Sequence, residues 1–516
     1  MHRTCIQFYI LLSVGVSLTL FGVLELTVTP VFIMTAIKTA LPILNSSESK
    51  TLDNWSSPPV SIITEFYFFN VTNPTQVIEL GEKALLREVG PYTFREQRHK
   101  ANMEWSEDEN IVAYDQIRRW YFEAKRSGDN SLDDMVYHLN VPLVASADYV
   151  HRSRMGEREK TFLYYSINQM HNLTSSLLFH RHSIRELMFE GYTDALIQES
   201  YLLNFDGITI PYDRFGWFYG RNDTSSDGRY EVYTGKSNLN LLDQMYAWNG
   251  SVELKHFYGK CNSLARVAAE FQPPFQEPIP NSIRIFVGDI CRPLSLFFDQ
   301  QVTRKGVTSN RYIADGRSFD YSLEQNRCYC RESCPRSGVA DTSKCTFDTP
   351  SAFSLPHFQF ADPYFMEQVR GLNPSPGRHA FFIDTHPLLG IPVDIRVAAQ
   401  INIRVRKDER VDRLQNLKQQ EIYFPILWFA ATASATDDML KELRMLELLP
   451  FYVTLIGLVM FACGIILIMF AIYWNWDNVA MSLINYRNRR RLQDREKRQH
   501  LRNGHPEPAA IPLTQG

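Results

Sequence analysis

The sequence predicts an α+β membrane protein in which two transmembrane helices flank one large ectodomain. Three observations carry that prediction. Two long uncharged apolar runs stand near the ends of the 516-residue chain, and a strongly basic segment follows the second. Six of the eight cysteines and all six N-x-S/T sequons lie between the two runs.

Residues 448–476 contain no Asp, Glu, Lys, Arg or His. About 20 apolar residues cross a bilayer core as a helix, so this run spans with room to tilt. Residues 487–502 then carry eight Lys/Arg against two acids, and basic flanks stay on the cytoplasmic side. The first run is uncharged from Cys5 to Leu24, is interrupted by Glu25, and resumes to Ile37. A cleaved signal peptide is the competing reading. Its apolar core is usually about 7–15 residues and ends at a small-residue site, whereas this run is longer and has no clear A-x-A-like site. An uncleaved anchor is therefore expected, with Glu25 at the outer interface because a carboxylate is costly at the bilayer centre. The expected organisation is a short cytoplasmic N-terminus (1–4), a first span (5–28), an extracellular or lumenal ectodomain (29–447), a second span (448–476) and a basic cytoplasmic tail (477–516).

An apolar content of 45% is ample for a large core, and the formal net charge is −3. Eight of the 54 Lys/Arg sit in the tail, which leaves the body mildly acidic and argues against wholesale nucleic-acid binding. Cys261, Cys291, Cys328, Cys330, Cys334 and Cys345 lie on the oxidising side of this topology and are expected as disulfides, with connectivity left open by spacing alone. A zinc site at Cys328, Cys330, Cys334 and Cys345 is the rival reading and lacks paired CxxC motifs. Glycosylation is expected at Asn45, Asn54, Asn70, Asn172, Asn222 and Asn249. Cys5 is placed for palmitoylation, and Cys463, in mid-span, is expected to pack against a neighbouring helix.

Between the spans, residues 60–71 are crowded with β-branched and aromatic side chains and read as a strand stopped by Asn73-Pro74. In 81–96, Gly90-Pro91 divides two short extended segments, and 111–122 reads as a further strand pair. The first strongly helical region is 146–197, where Leu177, Leu178, Ile184, Leu187 and Met188 fall at helical spacing. Within it, 151–185 holds six Lys/Arg, two Glu and four His. A solvated helical face is the bland reading, and a docking surface for anions is the sharper one. Residues 204–317 read as short strands, interrupted by an extended Pro-rich connection at 273–280. Residues 354–405 are β-rich, and 437–449 read as a helix running into the second span. No GxSxG, HExxH or phosphate-cradling glycine loop appears, so no enzyme activity, metal or cofactor is expected. In the helical reading of 177–188, His180 and His182, two residues apart, splay away from each other.

Several stretches taken together resemble the class B scavenger receptor family: FYFFNVTNP (66–74), VGPYTFRE (89–96), IRELMFEGY (184–192), GDICRPL (288–294), SLPHFQFADP (354–363), GLNPSPGRHAFFID (371–384), VDIRVAAQINI (393–403) and LQNLKQQEIYFPILW (414–428). Their order between two anchors makes the likeness specific, and it fails in the tail. The resemblance implies a distorted antiparallel β-barrel with a helical cap, here about 146–197, and an internal apolar tunnel toward the bilayer. It implies a disulfide-rich segment (261–345) with pairs Cys261–Cys328, Cys291–Cys345 and Cys330–Cys334.

The function implied is that of a scavenger-type lipid receptor and transporter. A basic cap captures anionic lipid, lipoprotein or debris, and lipid passes through the tunnel to the membrane. Some lipid-binding relatives place a lysine after the sequon that here is Asn172-Leu173-Thr174, where this chain has Ser175 and Ser176. Ligand binding is therefore assigned to Lys160, Leu177, Leu178, Phe179, Arg181 and Arg185. The alternative is an endosomal or lysosomal trafficking or adhesion receptor that binds a protein ligand at the cap in a pH-dependent way, motivated by His151, His171, His180 and His182. Expected partners are lipids, lipoproteins or anionic cell-surface ligands, with a protein ligand and self-association left open. The expected location is the plasma membrane, or the endosomal or lysosomal membrane, with both termini cytoplasmic. The arginine-rich tail either fixes topology or also holds anionic inner-leaflet lipid.

Overall fold

A computed structural model describes residues 2–174, 177–198, 212–330, 334–474 and 476–502. They fall in two compact units, one within Lys38–Glu442 and one, helical over its described residues, within Met1–Ile37 and Leu443–Gly516. Ser175 and Ser176 lie outside the described residues.

Both terminal apolar runs are helical. The segments Ile6–Ala40 and Asp437–Trp474 are long and apolar enough to cross a membrane, and a further helix, Trp476–Arg502, carries the basic tail. In the helical unit the two runs meet through glycine. A Cβ on Gly22 would stand 2.8 Å from the Gly457 carbonyl oxygen, and one on Gly464 would stand 2.7 Å from that of Gly15. Glycine pairs spaced two helical turns apart thus let the backbones approach directly, as small residues do at helix contacts in lipid. Cys463, expected at such a contact, is instead exposed beside Gly464, because the glycines take the interface. The Cys5 side chain lies outside the described residues.

The larger unit is built on one antiparallel sheet. Its strands run in the order Met245–Trp248, Arg229–Tyr233, Ile111–Phe122, Leu86–Trp105, Ile62–Val71, Glu421–Ser434, Pro392–Arg406, Phe382–Thr385, Val307–Ile313, Arg292–Arg304 and Ser282–Val287. Val339–Asp341 and Ser351–Ser354 branch from Pro392–Arg406. The two edges are joined through Val267 and Ala268: the Met245 N–H donates to Val267, and Ala268 exchanges hydrogen bonds with Arg284 and Phe286. The sheet is therefore nearly closed, a barrel-like solution that covers its own edges.

Ile62–Val71 is central, which explains its run of aromatic and β-branched residues. Tyr67 stands opposite Trp428 and stacks on it at 4.2 Å, while Phe66 meets Phe94 and Phe218 edge to face. Gly90-Pro91, read as a break, lies inside one 20-residue strand, Leu86–Trp105. The register slips opposite Phe66 and Phe68, so a bulge absorbs the two residues without ending the pairing. Ile111–Phe122 is likewise a single strand rather than a pair. Residues 354–405 are less uniformly β than expected, since short helical turns at Pro356–Phe358 and Pro363–Glu367 interrupt them. At the barrel wall Arg118 is enclosed by acids, with Asp227 at 2.5 Å, Asp289 at 3.3 Å and Glu96 at 3.8 Å.

The helical segment is shorter than expected. Val141–Arg152 is capped by the Asn140 side chain, which accepts the Leu143 N–H, and buries Leu143, Val144, Ala147 and Val150. Glu157–Leu173 begins where the Glu159 carboxylate accepts the Gly156 N–H, and it buries Tyr164, Ile167 and His171. Beyond it the chain does not stay helical: Phe179–Ser183 is a strand paired antiparallel with Met135–Leu139. Met135, Tyr137 and Arg181 are exposed on one face of this ribbon, while Val136, His138, His180 and His182 turn inward. The inward positions are mostly imidazole, so the period-2 signal was hidden by counting histidine as polar. A π-helical turn, Glu186–Glu190, follows.

Cysteine pairs in the structure are Cys261–Cys328, Cys291–Cys345 and Cys330–Cys334. All six sulfurs of the cluster are thereby consumed, and none is left to ligate zinc.

Candidate functional site

A cavity of about 340 Å³ opens where the ribbon meets the barrel. That volume lies within the usual range for a small-molecule site, about 300–1,000 Å³. Leu139, Leu178 and Phe179 enter from the ribbon, and Val405, Ile422 and Phe424 from the sheet. All but Ile422 are buried, so the wall is apolar. Glu82, Lys83, Arg370 and Lys418 line the exposed side. Lys83 Nζ donates to the Glu367 carbonyl oxygen at 2.5 Å, and among the described residues Arg370 and Lys418 have no ion-pair partner. Such a site suits a molecule with an apolar body and an anionic end.

The residues singled out from the sequence fall into different places. Leu178 and Phe179 line the cavity, whereas Leu177 is exposed outside it. Lys160 donates to the His151 carbonyl oxygen at 3.3 Å, and Arg181 lies over the Tyr137 ring. Arg185 is paired with Asp133 at 3.0 Å and Glu190 at 3.7 Å, and Arg152 with Asp148 at 2.5 Å. Part of the positive charge read in 151–185 is thus already neutralised. Asn45, Asn54, Asn172, Asn222 and Asn249 are exposed, while Asn70 is 9% exposed and its Oδ1 accepts the Tyr137 N–H.

Histidines read as a solvated patch are largely interior. His138 Nδ1 donates to the Leu139 carbonyl oxygen at 2.8 Å, which fixes its tautomer and leaves the Nε2 lone pair to meet His182 Nδ1–H at 2.8 Å. His180 Nε2 accepts from Asn140 Nδ2 at 3.2 Å. His182 stacks on Tyr192 at 3.9 Å. Burial, and then the neighbouring imidazoles, push His138 down to about 3 and His180 to about 4. These rings are neutral at physiological pH. Sequence reasoning missed His138 and misjudged its partners. The usable signal was the H-x-H spacing, which diverges on a helix and converges on a strand.

A second missed cluster lies under the SLPHFQFADP segment. The Glu88 carboxylate accepts from His357 Nε2 (2.8 Å), Trp428 Nε1 (2.9 Å) and Arg378 Nη2 (2.6 Å). Burial opposes its ionisation, but these three donors prevail and hold it down at about 2. His379 stacks on His357 at 4.5 Å. Glu88, His357 and His379 bring potential ligand atoms within 4.8 Å of one another, which invites a metal reading. The tautomers oppose it. His357 Nδ1 accepts the Asn373 N–H and His379 Nδ1 the Ser375 N–H, both at 3.0 Å, so each Nε2 carries the proton. The cluster is a clamp: it holds His357, whose backbone is left-handed at φ 53, with its N–H on Gln400 Oε1 at 2.7 Å.

The sequence model of the CD36 family matches residues 13–474. The chain is 31% identical over 381 residues to scavenger receptor class B member 1 of Rattus norvegicus, covering 73% of this chain and 71% of that protein. It is 28% identical to lysosome membrane protein 2 of Rattus norvegicus (83% and 86% covered) and 26% identical to protein peste of Drosophila melanogaster (82% and 74% covered).

Proposed function

The chain belongs to the CD36 family, and from that premise we propose that it is a scavenger-type lipid receptor that takes up an anionic lipid and passes it through a tunnel to the membrane. It is a two-span membrane protein. Spans at 5–28 and 448–476 place 29–447 outside and the tail 477–516 inside. The observation that carries the reading is the cavity with Leu178 and Phe179 in its wall and Lys83, Arg370 and Lys418 at its opening. An acyl chain gains about 0.8 kcal/mol for each CH₂ it buries there, and the cations meet a carboxylate or phosphate. Head-group recognition thus shifts from Arg185, which already has acidic partners, to the cavity mouth. The site binds and releases and requires no covalent chemistry.

The test is uptake of labelled fatty acid and phospholipid by cells displaying equal surface amounts of the wild type and of Leu178→Trp, which fills the cavity. The variant should retain under about a third of the wild-type excess over untransfected cells. Equal uptake by the two would remove this cavity from the path, and no excess for the wild type would remove the lipid-transport reading itself.

One observation favours the second reading, a trafficking or adhesion receptor for a protein. Phe162, Tyr165 and Leu173 are 66%, 61% and 83% exposed along Glu157–Leu173. Apolar side chains aligned in this way suit a protein surface. Affinity purification at neutral and acidic pH with Phe162→Asp decides it: loss of a captured protein supports the reading, and capture unaffected by the substitution defeats it.

A further inference from the structure

We propose that His138, His180 and His182 form a binding site for a divalent transition ion of the zinc type inside the cap. His180 and His182 are two residues apart on a strand and therefore share a face, and His138 stands directly opposite His180 on the paired strand. The three ring centres are 5.2 Å (His138–His182), 5.7 Å (His180–His182) and 6.3 Å (His138–His180) apart. Three imidazoles on one tetrahedral ion, with metal–nitrogen bonds of about 2.0–2.1 Å, set their ring centres roughly 5 Å apart. The backbone thus already holds the rings close to the required separations, and ring rotation supplies the rest.

The surroundings fit a metal more closely than they fit an apolar core. The Nδ1–H of His138 donates to the Leu139 carbonyl oxygen, the outer hydrogen bond that aims a metal-ligating histidine and fixes its Nε2 as the donor atom. The atom it aims at now is only the Nδ1–H of His182; on binding, His182 moves that proton to Nε2 and offers Nδ1. His180 Nε2 exchanges its bond from the Asn140 amide for the ion, and the amide keeps its bond to the Leu177 carbonyl oxygen at 3.2 Å. No electron is transferred and no proton is lost. Among the described residues, Tyr192, stacked on His182, has a buried hydroxyl without a hydrogen-bond partner, and both nitrogens of the buried His171 also have none. Unpaired polar atoms around three converging imidazoles mark a place where a ligand satisfies what the fold leaves open. The Glu186 carboxylate, bonded to the Ser183 N–H at 2.9 Å and acting electrostatically on His182, supplies compensating charge. Imidazole donors select zinc-type and copper-type ions over calcium or magnesium.

The test uses the purified full chain in detergent, stripped with a chelator and titrated with Co²⁺ as a spectroscopic probe and with Zn²⁺ against a chromophoric competitor. One equivalent of Co²⁺ should give the intense visible bands of four-coordination, and Zn²⁺ should displace it. His138→Gln and His182→Gln should each weaken Zn²⁺ binding by at least about 10-fold, with His99→Gln unchanged. Because substitution of a buried histidine can unfold the cap, the wild-type spectrum stands as an independent arm. Weak six-coordinate bands, no saturable equivalent, or equal affinity in the folded variants would overturn the site.

Discussion

The two histidine clusters use the same side chain to opposite ends. Around Glu88, His357 and His379 each accept a backbone N–H at Nδ1, so their Nε2 protons point outward and one of them serves a carboxylate. In the cap ribbon, His138 donates its Nδ1 proton to a backbone carbonyl and keeps its Nε2 lone pair facing other imidazoles. What decides between a structural clamp and a ligand set is the group on the second ring nitrogen, set by backbone placement. A donor there closes the histidine to metal, and an acceptor opens it.

Breaking the clamp should have the largest effect. Glu88→Ala leaves His357, Trp428 and Arg378 without their shared acceptor, next to a left-handed backbone at His357. The His357 and Trp428 ends of this set are buried while Arg378 is exposed, so losing the shared acceptor should cost about 3 kcal/mol, the low end for a buried charged pair. Thermal unfolding of the full chain, followed by tryptophan fluorescence, checks this; a midpoint within about 2 °C of the wild type would show that the clamp contributes little.

Acid should come next. Burial lowers His379 and His386 to about 4 in the folded protein, against about 6.5 when free. Between those values the unfolded chain takes up protons that the folded chain refuses, so stability present above pH 6.5 is lost as pH falls toward 4. Two such imidazoles remove about 2 kcal/mol between pH 6 and pH 5. Glu88, held at about 2, acts in a lower window and gives up its contribution only as pH falls from about 4.5 toward 2. Metal-free protein melted across this range should therefore lose stability in two stages, and a flat profile from pH 6.5 to 5 would contradict the burial of these rings.

How legible each region was in the sequence follows the range of the interactions that made it. Spans were plain because an uncharged run is a local property, and Phe66 to Phe69 announced a strand for the same reason, though not its central place in the sheet. His180 and His182 were misplaced because their strand exists only through Met135–Leu139, more than forty residues upstream, while Leu177, Leu178, Ile184 and Leu187 imitated a helix. Leu178 and Phe179, singled out from the sequence for ligand binding at the cap, line the cavity, yet Lys83, Arg370 and Lys418 were not visible, since each comes from a different loop and none belongs to a local charge run. Glu88 gave no signal at all: its partners His357, Arg378 and Trp428 lie 269 to 340 residues away.

The smallest predicted effects separate the two stacked rings of the clamp. His357→Phe keeps an aromatic ring but removes one donor from Glu88 and the acceptor for the Asn373 N–H, and should cost about 1–3 kcal/mol. His379→Phe also keeps the stack on His357 and the edge contact with Trp428, and it removes a buried Nε2 that has no partner among the described residues. Its only loss is the bond from the Ser375 N–H, offset by no longer burying an unpaired polar atom, so the net change should stay within about 1 kcal/mol. Equal losses in the two variants would mean that the ring stack, and not the carboxylate, holds this segment in place. A larger loss for His357→Phe assigns the holding role to the two polar bonds of His357, one to Glu88 and one from the Asn373 N–H that also closes this imidazole to metal.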